Sequence, residues 1–183
     1  MSVFNYQPSE ETFYIPDEMS SIVTSIQGID EDEDDYGQPY FRWGYWKEIV
    51  DILDELSRHA SSTIAKFPMV YLSLLYKAKK LNNKVTNFID FDLFIIAESE
   101  RDYSSTERLT TIFKGIIEPI YDDLITAILD NKWFRNSERI IEHEETNIFK
   151  AGAEDTNQNK LNQIIDAKHL SFINTEITNL KNY

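Results

Sequence analysis

The chain has 183 residues, of which 42% are hydrophobic and 13% aromatic, enough for the core of one ordinary domain and too much for a disordered polymer. Its 18 Lys+Arg against 32 Asp+Glu give a formal charge of −14, which repels phosphates and excludes a general nucleic-acid-coating role. Cys is absent, so disulfides, Cys-based zinc sites and Cys nucleophiles are excluded together.

The charge is uneven. Residues 1–40 hold ten acids and no Lys or Arg, whereas residues 41–183 hold 22 acids against 18 bases. Asp30, Glu31, Asp32, Glu33, Asp34 and Asp35 are consecutive, and such a run favours a solvated, extended segment. The expectation is an acidic, partly extended N-terminal arm over 1–40 and an α+β domain over 41–183. Within the arm Phe4, Tyr6, Phe13, Tyr14 and Ile15 are candidate anchors for docking on another surface. Met1 is followed by neither a basic region nor an apolar one, and no apolar run nears the ~18 residues of a membrane span. A soluble intracellular protein is expected.

The first element predicted in the domain is a helix from about Trp43 to His59, with Trp46, Ile49, Val50, Leu53 and Leu56 on one face. Pro68 then opens a strand from Met69 to Tyr76. Lys77, Lys79, Lys80 and Lys84 read as a basic turn, leading to a strand from Phe88 to Ala97 and an antiparallel hairpin. Ile89, Phe91, Leu93, Ile95 and Ala97 share one face of that strand, and Asp90 and Asp92 lie on the other. Ser104 and Glu107 have capping-box spacing. The helix they open carries Leu109, Ile112, Phe113, Ile116, Ile117, Ile120, Leu124 and Ile128, with a kink or break expected at Pro119. Two further strands are predicted, near Glu138 to Phe149 and near Ile164 to Leu180. Leu170 and Phe172 differ in parity from Ile173 and Ile177, which calls for a bulge or bend near Phe172–Ile173. The sum is an α+β fold, an antiparallel β-sheet with helices packed on one face.

No Gly-rich phosphate loop, zinc-protease, calcium-loop or nucleophile-elbow pattern occurs. His59 ends the first predicted helix, where a positive charge suits the dipole. His143 sits among Glu142, Glu144 and Glu145, and adjacent strand residues point apart, so a solvated charge patch is expected there in place of a metal site. His169 reads as structural. Asp90 and Asp92 form a pair that no His, nucleophile or Gly-rich loop joins in the sequence, so a polar strand face is expected. The expectation is a protein that is no enzyme, with no catalytic residue, metal or cofactor.

Phe67–Pro68–Met69–Val70–Tyr71–Leu72, the alternating strand Phe88 to Ala97, the capped helix with Ile116–Ile117–Glu118–Pro119–Ile120–Tyr121 and the closing strand Leu170 to Ile177 follow one another over residues 43–180. This order resembles the tail terminator (tail completion) proteins of long-tailed bacteriophages. The resemblance implies a structural virion protein of the head–tail neck, made in the host cytoplasm. It implies a homo-oligomeric ring, a hexamer with a dodecamer as the alternative, that joins tail tube or tail hub proteins to the portal, connector or adaptor and lets DNA pass without holding it. On that reading Phe4, Tyr6, Phe13, Tyr14, Ile15, Lys77, Lys79 and Lys80 are candidates for subunit interfaces. Asp90, Asp92 and residues 30–35 are candidates for a lumen or exposed acidic surface. The alternative is a phage-encoded acidic interaction or inhibitor protein, a DNA mimic.

Overall fold

The computed structural model describes residues 15–26, 38–45, 67–80, 86–134, 142–151 and 164–178. These form an α+β unit. In chain order they are helix α1 (Ile15–Ser25), strands β1 (Tyr40–Gly44), β2 (Met69–Lys80) and β3 (Thr86–Ser99), a helical turn α2 (Ser105–Glu107), a π-helix π1 (Arg108–Ile117), helix α3 (Glu118–Asp130), and strands β4 (His143–Ala151) and β5 (Ile164–Thr178). The sheet order is β1-β2-β3-β5-β4. Neighbours are antiparallel except β1 and β2, which are parallel.

The parallel pair departs from the all-antiparallel expectation. Tyr40, Phe41 and Trp43 suit a pleated ladder, and they pair with Met69, Val70 and Leu72. Trp43 and Gly44, assigned by sequence to a first helix, therefore belong to β1; the rest of that predicted helix lies outside the described residues. A parallel pair needs a crossover of a dozen or more residues, and 45–68 provides that length. The basic turn is also displaced, because Lys77, Lys79 and Lys80 continue β2 opposite Asp90, Phe88 and Asn87.

Part of the acidic arm, expected to be partly extended, is helical. Ile15, Met19, Ile22, Val23 and Ile26 recur at helical spacing and are buried. Asp17 and Glu18 occupy the first turn, where the helix dipole favours negative charge. Local charge thus supports the helix, and its apolar stripe joins the main core.

That core lies between one sheet face and the helices. Val70, Leu72, Phe91, Leu93, Ile95, Leu170 and Phe172 meet Met19, Ile22, Phe113, Ile117, Ile120, Leu124 and Ile128. The Phe91 and Phe172 rings stack at 4.6 Å between centroids. The other face carries a smaller cluster of Met69, Tyr71, Phe94, Ile96, Ile165 and Ala167.

The long helical stretch runs through Pro119 without a break. Proline has no N–H to donate, and its ring crowds the carbonyl four residues back. The winding changes there: Glu118 N–H bonds to Phe113 O, five residues back, and both Ile117 and Glu118 keep right-handed helical angles. The wider π turns relieve the crowding. They also change which residues face inward. Arg108, Ile112, Phe113 and Ile117 are buried at spacings of four to five, then Ile120, Leu124 and Ile128 at three to four. Leu109, expected on the apolar stripe, is exposed instead.

The predicted bulge is present. Phe91 pairs with Phe172 and Ile89 with Thr175, so Ile173 and Asn174 of β5 together oppose Asp90 and β5 holds one extra residue. Asn174 has φ 54°, the left-handed region that Asn tolerates well. Ile173 is turned outward, while Phe172, Thr175 and Ile177 are buried.

Candidate functional site

Two polar networks lie between the helices and the sheet, and both use β5. Its residues Asp166, Lys168, Leu170 and Phe172 share the helix-facing parity, so two of its inward positions are charged.

Asp166 is fully buried and meets Arg108 at the start of π1. Arg108 Nη1 donates to Asp166 Oδ2 at 3.0 Å, to Oδ1 at 3.2 Å and to Ser99 Oγ at 2.6 Å. Its Nε and Nη2 donate to the carbonyls of Tyr103 and Glu100 at 3.2 and 2.5 Å. The guanidinium thereby ties the helix start to β3 and β5. Just before it the capping box is closed, with Ser104 N–H donating to Glu107 Oε2 at 2.7 Å and Glu107 N–H to Ser104 Oγ at 3.3 Å. The bonds from Ser104 hold the Glu107 carboxyl below its usual range.

Lys168 is buried beneath α3 and β4. Its Nζ donates to Glu118 Oε2 at 2.8 Å and to Glu145 Oε2 at 3.1 Å, and sits 4.2 Å from the centre of the Tyr121 ring. The Tyr121 hydroxyl donates to Glu145 Oε1 at 2.5 Å and lies 3.0 Å from His143 Nε2. Burial pushes the Tyr121 phenol up strongly, reinforced by its bond to Glu145. Burial would raise Glu145, but hydrogen bonds from Tyr121 and Lys168 outweigh it and hold the carboxyl below its usual range. Burial would lower Lys168, and its bonds to Glu118 and Glu145 outweigh that, holding the ammonium above its usual value. The phenol keeps its proton, the carboxylate keeps its charge, and the ammonium is spent on two acids. The arrangement clamps the outer strand β4 onto α3 and β5.

His143 is therefore not a solvated patch: its side chain is 11% exposed and its ring stacks on Phe172 at 5.0 Å. Glu145, two residues from His143, shares its face and joins this cluster, while the adjacent Glu142 lies outside it. On the opposite face His169 Nε2 lies 3.0 Å from Asp92 Oδ1, and its ring stacks on Phe94 at 4.4 Å. Among the described residues no group of three or more His, Asp or Glu could hold a metal ion.

Asp90 and Asp92, sequence candidates for an acidic surface, have separate structural partners and are half-buried. Asp90 Oδ1 accepts from the N–H of the bulge residue Asn174 at 2.8 Å, and Asp92 is bonded to His169. Ile15, a candidate docking anchor, is 5% exposed and committed to this chain's own core. Phe4, Tyr6, Phe13, Tyr14 and Asp30 to Asp35 lie outside the described residues. For Lys77, Lys79 and Lys80 the structure gives only a position on β2.

A groove of about 540 Å³ separates α1 from α3, with Ser21, Ser25, Asp123, Thr126, Asp130 and Asn131 on its walls. On its wall Ser25 Oγ donates to the Ile22 carbonyl at 2.7 Å. No helix among the described residues is long and apolar enough to cross a membrane. The chain matches no family model, and no curated protein matches it in sequence.

Proposed function

We propose that the chain is a structural ring subunit of a bacteriophage neck, completing the tail and joining it to the head connector. The observation that carries this reading is the order of elements. A Pro-entered strand, an alternating strand, a capped helix containing Pro119 and a closing strand build one sheet with helices on one face. This is the arrangement that the sequence resemblance to tail terminators implies. The polar clusters support it, because their side chains are engaged in holding elements together. On this reading the protein acts through surfaces, contacting further copies, a portal or adaptor on one side and tail tube or hub proteins on the other. DNA passes through the ring without a specific contact.

The test is made in the virus that encodes the chain. Virions should contain the protein at the head–tail junction, located by labelled antibody in electron micrographs. A virus lacking it should accumulate filled heads and separate tails that fail to join. Normal joined particles without the protein would refute the reading.

A further inference from the structure

The groove between α1 and α3 is walled by hydrogen-bond acceptors. Asp123, Thr126, Ala127 and Asp130 recur at helical spacing on one face of α3, and Ser21 and Ser25 of α1 stand opposite. Ser25 Oγ donates its proton to the Ile22 carbonyl at 2.7 Å, and Thr126 Oγ1 donates to the Asp122 carbonyl at 2.8 Å. A hydroxyl has one proton, so each of these oxygens turns only lone pairs to the groove. The two carboxylates accept as well. Asn131 gives its amide oxygen to Trp133 N–H at 2.8 Å. Among the described residues the side-chain donors left on the walls are the Ser21 hydroxyl and the Asn131 NH2, neither of which carries charge.

Charge acts in the same sense. Both helices bring their C-terminal ends to the groove, Ser25 from α1 and Asp130 from α3, and the carbonyl end of a helix is partly negative. A basic residue in the last turn would offset this, and neither helix has one. Lys132 lies just beyond α3, and its Nζ sits 5.3 Å from the centre of the Trp133 ring. The floor is apolar: Ile22 and Ile26 are both 3% exposed, and Ala127 is half-buried beside them. Asp123 and Asp130 are two helical turns apart, which separates them by about 10 Å along α3. One metal ion cannot reach across that distance, and among the described residues no group of three His, Asp or Glu could hold one. Two ammonium groups on one flexible chain can.

We propose that the groove binds a linear aliphatic polyamine, a diamine or triamine whose ammonium ends take Asp123 and Asp130 while its methylene chain lies over Ile22, Ile26 and Ala127. An ammonium group donates and never accepts, which suits a wall of acceptors. Its alkyl chain covers apolar floor while the charged ends stay at water, as lysine stems do on protein surfaces. The volume of about 540 Å³ lies in the range of small-ligand sites. A lysine from a partner protein would bring one ammonium and leave the other carboxylate unmatched. The site goes beyond the ring-subunit reading and is independent of it, since it requires neither self-association nor a virion.

The test is calorimetric titration of the full-length protein at low ionic strength, with spermidine, putrescine and butylamine as probes. Spermidine should bind saturably at a single site, butylamine should bind about tenfold more weakly, and added salt should lower the affinity for spermidine. Asp123→Asn and Asp130→Asn should each weaken spermidine about three- to tenfold. Both acids are exposed, so these variants keep the fold, which circular dichroism checks. Asp102→Asn removes an exposed acid outside the groove and should leave the affinity unchanged. An equal loss in Asp102→Asn would show diffuse attraction to the net charge and overturn the proposal. So would butylamine binding as tightly as spermidine, saturable binding that survives both groove substitutions, or no saturable binding at millimolar spermidine. Acetyl-lysine amide, which presents one ammonium as a protein's lysine does, should bind no better than butylamine; tighter binding than spermidine would make a protein the occupant and overturn the polyamine assignment.

Discussion

Replacing Arg108 with Met tests how the long helix is held. The Arg108 and Asp166 side chains are 4% and 0% exposed, so solvent cannot replace the lost partner of Asp166. Removing one member of a buried pair costs about 3–5 kcal/mol, chiefly because the remaining charge loses its bonded counter-charge in a site that water does not reach. The carbonyl of Tyr103 and the hydroxyl of Ser99 lose donors as well. For a chain of this size about 2–4 °C of melting temperature is lost per kcal/mol, so Arg108→Met should melt roughly 6–20 °C below the parent. Urea unfolding followed by circular dichroism gives the free energy directly. The double variant Arg108→Met/Asp166→Leu removes both charges and should exceed either single variant by about 2 kcal/mol. A single-variant cost under about 1 kcal/mol, or strict additivity in the double, would show that the pair is neither desolvated nor coupled.

Gly115 stands in π1, and a Cβ there would meet only Thr110 O at 3.6 Å, so Gly115→Ala should raise stability by about 0.5–1 kcal/mol in the same urea assay. Asp90→Ala should cost about 0.5–1.5 kcal/mol and speed hydrogen exchange of the Asn174 amide, which loses its acceptor. The clamp on β4 should depend on pH in both directions. Glu145, lowered in the fold, contributes stability above its usual 4.5 that is lost as pH falls through its folded value, and Glu145→Gln should flatten that acid limb. Tyr121 and Lys168, both raised, contribute stability that is full below 10.0 and 10.5 respectively and is lost at higher pH; Tyr121→Phe should reduce the alkaline loss measured by urea titration.

Period-two patterns were the most legible part of the sequence. Ile89 to Ala97 alternate without ambiguity, and the parity conflict between Phe172 and Ile177 marked the bulge before its geometry was known. The capping box was legible because it is local, needing only Ser104 and Glu107 three apart. Composition misled at α1, where surrounding acids masked the stripe Ile15, Met19, Ile22, Val23 and Ile26. Leu109 and Arg108 misled in another way. An α period puts Leu109 inward, and only the π winding ahead of Pro119 exchanges it for Arg108. The two polar networks were hidden because their members come from separate elements. Yet a signal existed: Asp166 and Lys168 share parity with Leu170 and Phe172, and charge at inward strand positions demands partners. His143 and Glu145, two apart on one strand, offered the same hint.

The buried charges on β5 matter most for register. A slip of one residue would turn every apolar side chain of the strand to the wrong face, and the core alone forbids it. A slip of two residues would keep the parity, and Leu170 and Phe172 could still point inward. The charges oppose that second error. Shifted one way, Lys168 would take the place of Asp166 and meet Arg108; shifted the other way, Asp166 would take the place of Lys168 and meet Glu118 and Glu145. Either slip sets like charges against each other, and the penalty is greatest at the Arg108 site, which is closed to water. Asp90 adds a third constraint by holding the bulge at Asn174. The same residues fix β4, since Lys168 and Tyr121 both hold Glu145. The charge pairs of β5 thus set the register of the strand at some cost in desolvation, which leucine at the same positions would avoid without opposing a two-residue slip.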